Sequence, residues 1–225
     1  MIDIETNLHA VHERIRLASI ADSRCSASVL AVSKGVPESA IRRAFSAGQI
    51  EFAESYVQEA IAKINATRDL PLVWHFIGPI QSNKTSAIAE NFAWVHSIDR
   101  LKIAARLSAA RPPQLGPLNV CIQFNSSGEA SKSGASSDQL GELARAVAAL
   151  PGIRLRGLMA IPAPSKNFDE QRRGFRIVRD HFDDLRHLDL TLDTLSMGMS
   201  DDLDAAIAEG ATIVRIGTAI FGPRN

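Results

Sequence analysis

Val29-Leu30-Ala31-Val32-Ser33-Lys34 is an apolar, β-branched run that Gly35 and Pro37 close at once. Such a run, ended by such residues, reads as a buried strand. It sets an amine where a buried strand meets a loop, a costly place for an ammonium ion. Desolvation lowers a lysine's pKa, and a neutral amine can attack an aldehyde to form a Schiff base. The plainer alternative is a structural lysine paired with Glu51 or Glu54, with Arg215 as the counterpart in that network.

On either side of this run the pattern alternates. Before it, Leu8, Val11, Ile15 and Leu17 have helical spacing and predict one leading helix. After it, Ala40, Ile41, Ala44 and Phe45 mark a helix between Pro37 and Gly48. Further strands are expected at 50–53, 72–78, 92–97, 118–124, 153–159, 191–196 and 211–216. Helices fall between them, including 82–91 and 201–209. Ser55 with Gln58, Asp99, Ser137, Asn167 with Glu170, and Ser200 are placed to cap helices. Near-continuous apolar strands separated by helices imply a parallel sheet. Eight of them favour a closed (β/α)8 TIM barrel with an extra N-terminal helix, and an open doubly wound sheet is the competitor. No linker divides residues 1–225, so they read as one domain, and the Ser- and Gly-rich stretch 125–136 reads as a mobile loop within it.

Composition narrows the function. Lys plus Arg and Asp plus Glu both number 25, so no field of one sign recruits nucleic acid or an anionic membrane. No apolar stretch is long enough to span a bilayer, and the acidic start Met1-Ile2-Asp3-Ile4-Glu5 lacks a signal-peptide core. Cys25 and Cys121 are not spaced as CxxC, which fits a reduced, cytoplasmic setting.

In a barrel of this kind the site lies at the carboxyl ends of the strands. Collected there are Lys34, Glu54, Ser55, His75, Asn125, Met159, the segment Ser196 to Ser200, Arg215, Gly217 and Thr218. Met197-Gly198-Met199-Ser200 leads into a helix, and Ile216-Gly217-Thr218-Ala219 leaves the last strand in a short turn. Backbone N–H groups and hydroxyls there suit a phosphate. Asp201 and Asp202 would repel one, and must point away if this reading holds. The plainer reading is that Ser200 only caps its helix and Gly217 only turns the chain. Lys63, Lys84, Lys102, Lys132 and Lys166 read as solvated surface charges. His75 reads first as a hydrogen-bonded core histidine, His9 and His12 lack a third ligand, and no metal site is expected.

Six blocks carry a resemblance. They are Ala31-Val32-Ser33-Lys34, the stretch Trp74-His75-Phe76-Ile77-Gly78-Pro79-Ile80-Gln81-Ser82-Asn83-Lys84, Ser131-Lys132-Ser133-Gly134, Arg156-Gly157-Leu158-Met159, Leu195 through Asp202, and Val214 through Gly222. Over nearly the whole chain they resemble the YggS/PROSC family of pyridoxal 5′-phosphate (PLP) homeostasis proteins. The resemblance implies a barrel like the N-terminal domain of alanine racemase, a fold type III PLP-binding barrel without the second β domain. It implies that Lys34 holds the cofactor aldehyde as a Schiff base, that Arg215 faces the pyridine nitrogen, and that Ser200, Gly217 and Thr218 hold the phosphate. His75, Ser196 and Met199 fall in blocks that line the family's site, and Lys132 lies in a loop linked with cofactor entry or transfer. The chain departs from the family at Ala53-Glu54-Ser55-Tyr56, where Gly-Glu-Asn-Tyr is usual and the asparagine lies near the cofactor, and at Ser126, where an apolar residue is usual. The segment before the first strand is also short.

Two classes of function follow. One is a carrier that holds PLP reversibly, buffers a reactive aldehyde and passes it to PLP-dependent apo-enzymes. The other is an amino-acid racemase using the same Schiff base. A permanently charged Arg215 at the ring nitrogen disfavours a protonated pyridinium and weakens the ring as an electron sink. Racemisation needs a second acid/base on the far face of the carbon. In alanine racemase that is a tyrosine supplied across a dimer, whereas Tyr56 is the one tyrosine here and the sequence ends at Asn225. The carrier is favoured, as a monomer. A third reading is a barrel that binds another phosphorylated metabolite without covalent chemistry.

Overall fold

A computed structural model describes residues 2–22, 27–126 and 133–223. Helix α1 (Ile4–Asp22) precedes β1 (Ser28–Val32), α2 (Glu38–Ser46), β2 (Glu51–Glu54), α3 (Val57–Ala66), β3 (Val73–Phe76), α4 (Thr85–Asn91) and β4 (Trp94–Ile98). Then come α5 (Leu101–Ala110), β5 (Leu118–Phe124), α6 (Ser137–Ala148), β6 (Ile153–Ala160), α7 (Phe168–Arg186), β7 (Thr194–Ser196), α8 (Leu203–Ala208), β8 (Ile213–Ile216) and α9 (Thr218–Phe221). The strands pair in parallel in chain order, and β1 closes on β8 with Ser28 opposite Ile213 and Ala31 opposite Ile216. The fold is therefore the closed (β/α)8 TIM barrel with a leading helix, and not the open doubly wound sheet.

Side chains alternate across each strand, and the alternation sorts the barrel into two interiors. Outward-facing Val29, Ala31, Phe52, Phe76, Val95, Val120 and Val214 join Phe175 and Val178 of α7 in one large apolar core beneath the helices. Each large side chain fully buried there contributes about 1.5–3 kcal/mol. Inward-facing Leu30, Val32, Ala53 and Ile213 form only a small separate cluster. The remaining inward positions of β2, β3, β4, β7 and β8 include Glu51, His75, His96, Ser196 and Arg215, of which the last four are buried. The outer shell holds the fold together, which leaves the barrel interior open to polar chemistry.

The strand bounds differ from the sequence pattern by a residue or two at most places. The exception is β7, which begins at Thr194 rather than 191, because Asp193 turns out to Arg156 (2.6 Å). Of the expected caps, Asn167 serves: its side chain accepts the Glu170 N–H at 3.0 Å. Ser55, Asp99 and Ser200 do not cap, since α3, α5 and α8 begin later, after Tyr56, Arg100 and Asp202. Ser137 is already helical and Ser136 holds the cap position. The stretch 125–136 folds back on β5 at its ends, where the Ala135 N–H donates to the Gln123 carbonyl and the Asn125 N–H to the Ala135 carbonyl. Cys25 and Lys132 lie outside the described residues.

Candidate functional site

At the carboxyl ends of the strands a cavity of about 660 Å³ is walled by Val32, Lys34, Ser55, Ile77, Met159, Ile161, Met199, Ser200, Asp201, Arg215, Gly217, Thr218 and Ala219. Seven of the nine residues expected at a site thus meet in one space: Lys34, Ser55, Met199, Ser200, Arg215, Gly217 and Thr218. The side chains of His75 and Ser196 are not among its walls. Both are fully buried and lie behind Arg215, to which Ser196 is hydrogen-bonded. Sequence reading missed Val32, Ile77, Ile161, Asp201 and Ala219. For Val32 and Ile77 a signal existed, since period-two alternation puts Val32 with Lys34, and Ile77 with His75, on the inner face.

Lys34 sits two residues past β1 in a turn closed by the Val36 N–H on the Ser33 carbonyl (2.9 Å), and it is half-buried. The residues on either side of it are fixed by a network centred on Lys63. The Lys63 ammonium donates to the Ser33 carbonyl (2.6 Å), to Glu54 Oε1 (2.8 Å) and to Glu59 Oε1 (2.6 Å). The Ser33 hydroxyl donates to the same Glu54 oxygen (2.7 Å), and the Gly35 N–H donates to Glu59 Oε1 (2.6 Å). Lys63 is therefore not the solvated surface charge its helical position suggested; it is 9% exposed. Glu54, one of the two carboxylates that could have engaged Lys34, is taken by Lys63. Burial pushes the Glu54 carboxyl up, while Lys63 and Ser33 work against that.

Ser55 enters the wall because β2 and β3 come very close there. A Cβ on Gly78 would stand 2.1 Å from the Ser55 carbonyl oxygen, so only glycine fits. The loop after β7 depends on Gly198 in the same way: its φ is +93°, and a Cβ there would meet the Ala206 side chain at 2.5 Å. Asp202 folds back on this loop, its carboxylate accepting the Met199 N–H at 2.5 Å. Burial raises that carboxyl, and the Met199 bond opposes the rise. Asp202 is thus spent on the loop, but Asp201 is part of the cavity wall, contrary to the expectation that both acids point away.

The turn after β8 is the short helix α9, whose first N–H groups have no intrahelical acceptor. Helix α1 holds both last loops. Arg14 donates to the Ser200 carbonyl (2.8 Å) while paired with Asp204 (2.7 Å), and the Asn7 amide donates to the Ile220 carbonyl (2.9 Å). Arg215 forms the deep end of the cavity. Its Nη1 donates to the Ser196 carbonyl and hydroxyl and its Nη2 to the Ala160 carbonyl (2.9 Å). Burial pushes it down to about 10, so it stays charged at neutral pH. Among the described residues no group of three or more His, Cys, Asp or Glu could hold a metal ion, and no helix is long and apolar enough to cross a membrane.

A barrel with a lysine after its first strand, a guanidinium at its floor and two donor loops after its last strands defines a class, and comparison with known proteins identifies it. Residues 4–225 match the family described as "Alanine racemase, N-terminal domain". The "Pyridoxal phosphate homeostasis protein" of Pseudomonas aeruginosa is 58% identical, covering 100% of this chain and 97% of that protein, and the protein of the same name from Escherichia coli K12 is 53% identical at 100% and 98% coverage. The solved structure of PipY from Synechococcus elongatus with PLP bound superposes with a TM-score of 0.87 at 34% identity, covering 98% of this chain and 100% of that one. The chain belongs to the pyridoxal phosphate homeostasis family, whose barrel is of the alanine racemase N-terminal type.

Proposed function

We propose that this protein binds pyridoxal 5′-phosphate in the cavity, holds it through Lys34 as a Schiff base, and serves PLP homeostasis by releasing it to PLP-dependent apo-enzymes. The observation that carries this is the meeting in one cavity of an amine, a buried guanidinium and two hydroxyl-bearing loops. These residues fit the group. Ser200, Gly217 and Thr218 offer donors to a phosphate, Val32, Ile77 and Met159 offer apolar surface to a ring, and Arg215 offers donors to a ring nitrogen. The bound group supplies an aldehyde that a lysine can attack with loss of water. The chain's own part is to present Lys34, hold the phosphate and fix the ring-side contact. The names of the relatives and the PLP-bound PipY support this reading.

A carrier is favoured over a racemase. Tyr56, which could have served as an opposing acid, is 64% exposed and is not among the cavity residues. Arg215 has only protons to donate, so it disfavours a protonated ring nitrogen. We read the protein as a monomer and, from the free buried thiol of Cys121, as cytoplasmic.

The test is the visible spectrum of the purified protein with added PLP, followed by borohydride reduction and peptide mapping. A band trapped on Lys34 is the expected result. Label spread over Lys102 and Lys166, or no band, overturns the reading. Lys34→Ala separates the non-covalent phosphometabolite alternative, which predicts unchanged ligand binding in that variant. A racemase rate in the ordinary enzyme range, on the order of 1–1000 per second, would contradict the carrier.

A further inference from the structure

Behind Arg215 the barrel interior holds a line of polar side chains that the cofactor reading does not use. Arg215 Nη1 lies 3.0 Å from Ser196 Oγ, Ser196 Oγ lies 2.7 Å from His96 Nδ1, and His96 Nε2 lies 2.9 Å from His75 Nδ1. All four side chains are buried. His75 Nε2 has no hydrogen-bond partner among the described residues, and Glu51 Oε1 stands 3.8 Å from it. Glu51 opens β2, so it is at the amino-terminal mouth of the barrel, opposite the cavity. The line therefore crosses the barrel from one mouth to the other.

Donor and acceptor rules, together with the Glu51 carboxylate at the far end, give the line a direction. A guanidinium can only donate, so Ser196 Oγ accepts from Arg215; the tautomers that set a hydrogen, and not a lone pair, on His75 Nε2 facing Glu51 are those in which the Ser196 hydrogen goes to His96 Nδ1. A neutral imidazole carries one donor and one acceptor, so His96 donates from Nε2 to His75 Nδ1. His75 then carries its hydrogen on Nε2, the nitrogen nearest Glu51. Burial keeps both rings neutral, with His75 pushed down to about 3 and His96 well below its usual value. Every link donates in the same sense, from the cation towards the carboxylate, so the links polarise one another. Other aromatic and charged groups pack around the line. Trp94 stacks on His75 with centroids 5.4 Å apart, and the Arg156 guanidinium, itself paired with Asp193, covers the Trp94 ring at 4.6 Å. The Ser28 hydroxyl also bonds Glu51, whose carboxyl burial pushes up, and the Cys121 thiol nearby is pushed up to about 12 by burial and stays neutral.

We propose that Ser196, His96 and His75 form a polarised relay that holds Arg215 in the cavity and ends on Glu51 at the opposite mouth, making His96 a positioning residue for the cofactor's ring-side contact. Asp202 lends Arg215 a favourable charge from the neighbouring loop, while the line through the barrel fixes where its Nη1 points. Its Nε–H and one Nη2–H remain for a ligand. This deepens the PLP reading and rests on it.

The test is a ¹⁵N–¹H correlation spectrum of the histidine side chains in the cofactor-free full chain, assigned with His75→Asn and His96→Asn. Both rings are expected as neutral Nε2–H tautomers, and added PLP is expected to shift both. In Ser196→Ala the His96 tautomer becomes mixed and PLP affinity falls about tenfold, as for a lost hydrogen bond to a charged group. A proton on Nδ1 of either ring in the unsubstituted protein overturns the relay whether or not cofactor binds. Unchanged PLP affinity in Ser196→Ala overturns the positioning role. Correct tautomers in a protein that shows no PLP absorbance remove the cofactor reading, and with it the relay's purpose, so the two failures are told apart.

Discussion

Lys63 shows how much one buried charge can govern. It ties the residue before Lys34, through the Ser33 carbonyl, to the residue after it, through Glu59 and the Gly35 N–H. Removing one partner of a buried ion network leaves the others uncompensated. Lys63→Met should therefore destabilise the protein by about 3 kcal/mol, seen as a lower denaturation midpoint in urea. Lys34→Ala, by contrast, removes a half-buried side chain and should leave that midpoint nearly unchanged while abolishing the visible PLP band. These two lysines also mark the limit of sequence reading at this scale. Lys34 ends an apolar run and is conspicuous for that reason. Lys63 sits mid-helix between Ala62 and Ile64, beside and not on the stripe of Val57, Ile61 and Ile64, and its spacing alone does not say that its ammonium turns inward to carboxylates nine and four residues away.

At the scale of elements, α7 is clasped to α8 through Glu209, whose buried carboxylate receives Arg172 (2.8 Å), Arg176 (2.9 Å) and Arg179 (2.7 Å). Burial raises this carboxyl, but Arg176, Arg172 and Arg179 together hold it below its usual 4.5. A carboxyl with a depressed folded pKa stabilises above its unfolded value and loses that contribution as pH falls through the folded one. The clasp should thus be intact at neutral pH and weaken progressively below about pH 4.5, the ordinary value for a glutamate. In Glu209→Gln the acid limb of a stability–pH curve should be shallower, and an unchanged limb would assign acid unfolding to other carboxylates. Strand positions were legible from apolar runs because outward faces feed one continuous core. The inner face was not, because reading strands as uniformly apolar passes over Glu51, His75, His96 and Arg215 at alternate positions. Most helix caps also failed, since the described helices start one or two residues later than Ser55, Asp99 and Ser200 suggested.

For the whole molecule, closure of β1 on β8 is the organising fact, and the count of eight runs was enough to anticipate it. What the count could not show is that α1 reaches across to the far end of the chain. A ligand that binds only the folded barrel stabilises it by mass action, and PLP at a hundredfold excess over its Kd should add about 2.7 kcal/mol to the unfolding free energy. Arg14→Ala should reduce that increment by loosening the Ser200 loop, with little effect on the stability of the free protein, because Arg14 and Asp204 are both exposed enough for their pair to contribute little. The grip of Asn7 on Ile220 and of Arg14 on Ser200 has a bearing on synthesis as well. A chain emerging from the ribosome presents Lys34 early, yet the loops that would seat a phosphate, and the arginine between them, follow it only after six further strands have been made. Until Thr218 has left the exit tunnel and β8 has docked beside β1, the amine has no pocket around it. On the proposed reading, cofactor capture is thereby reserved for chains whose barrel has closed, and a product truncated before β8 would compete for none of it.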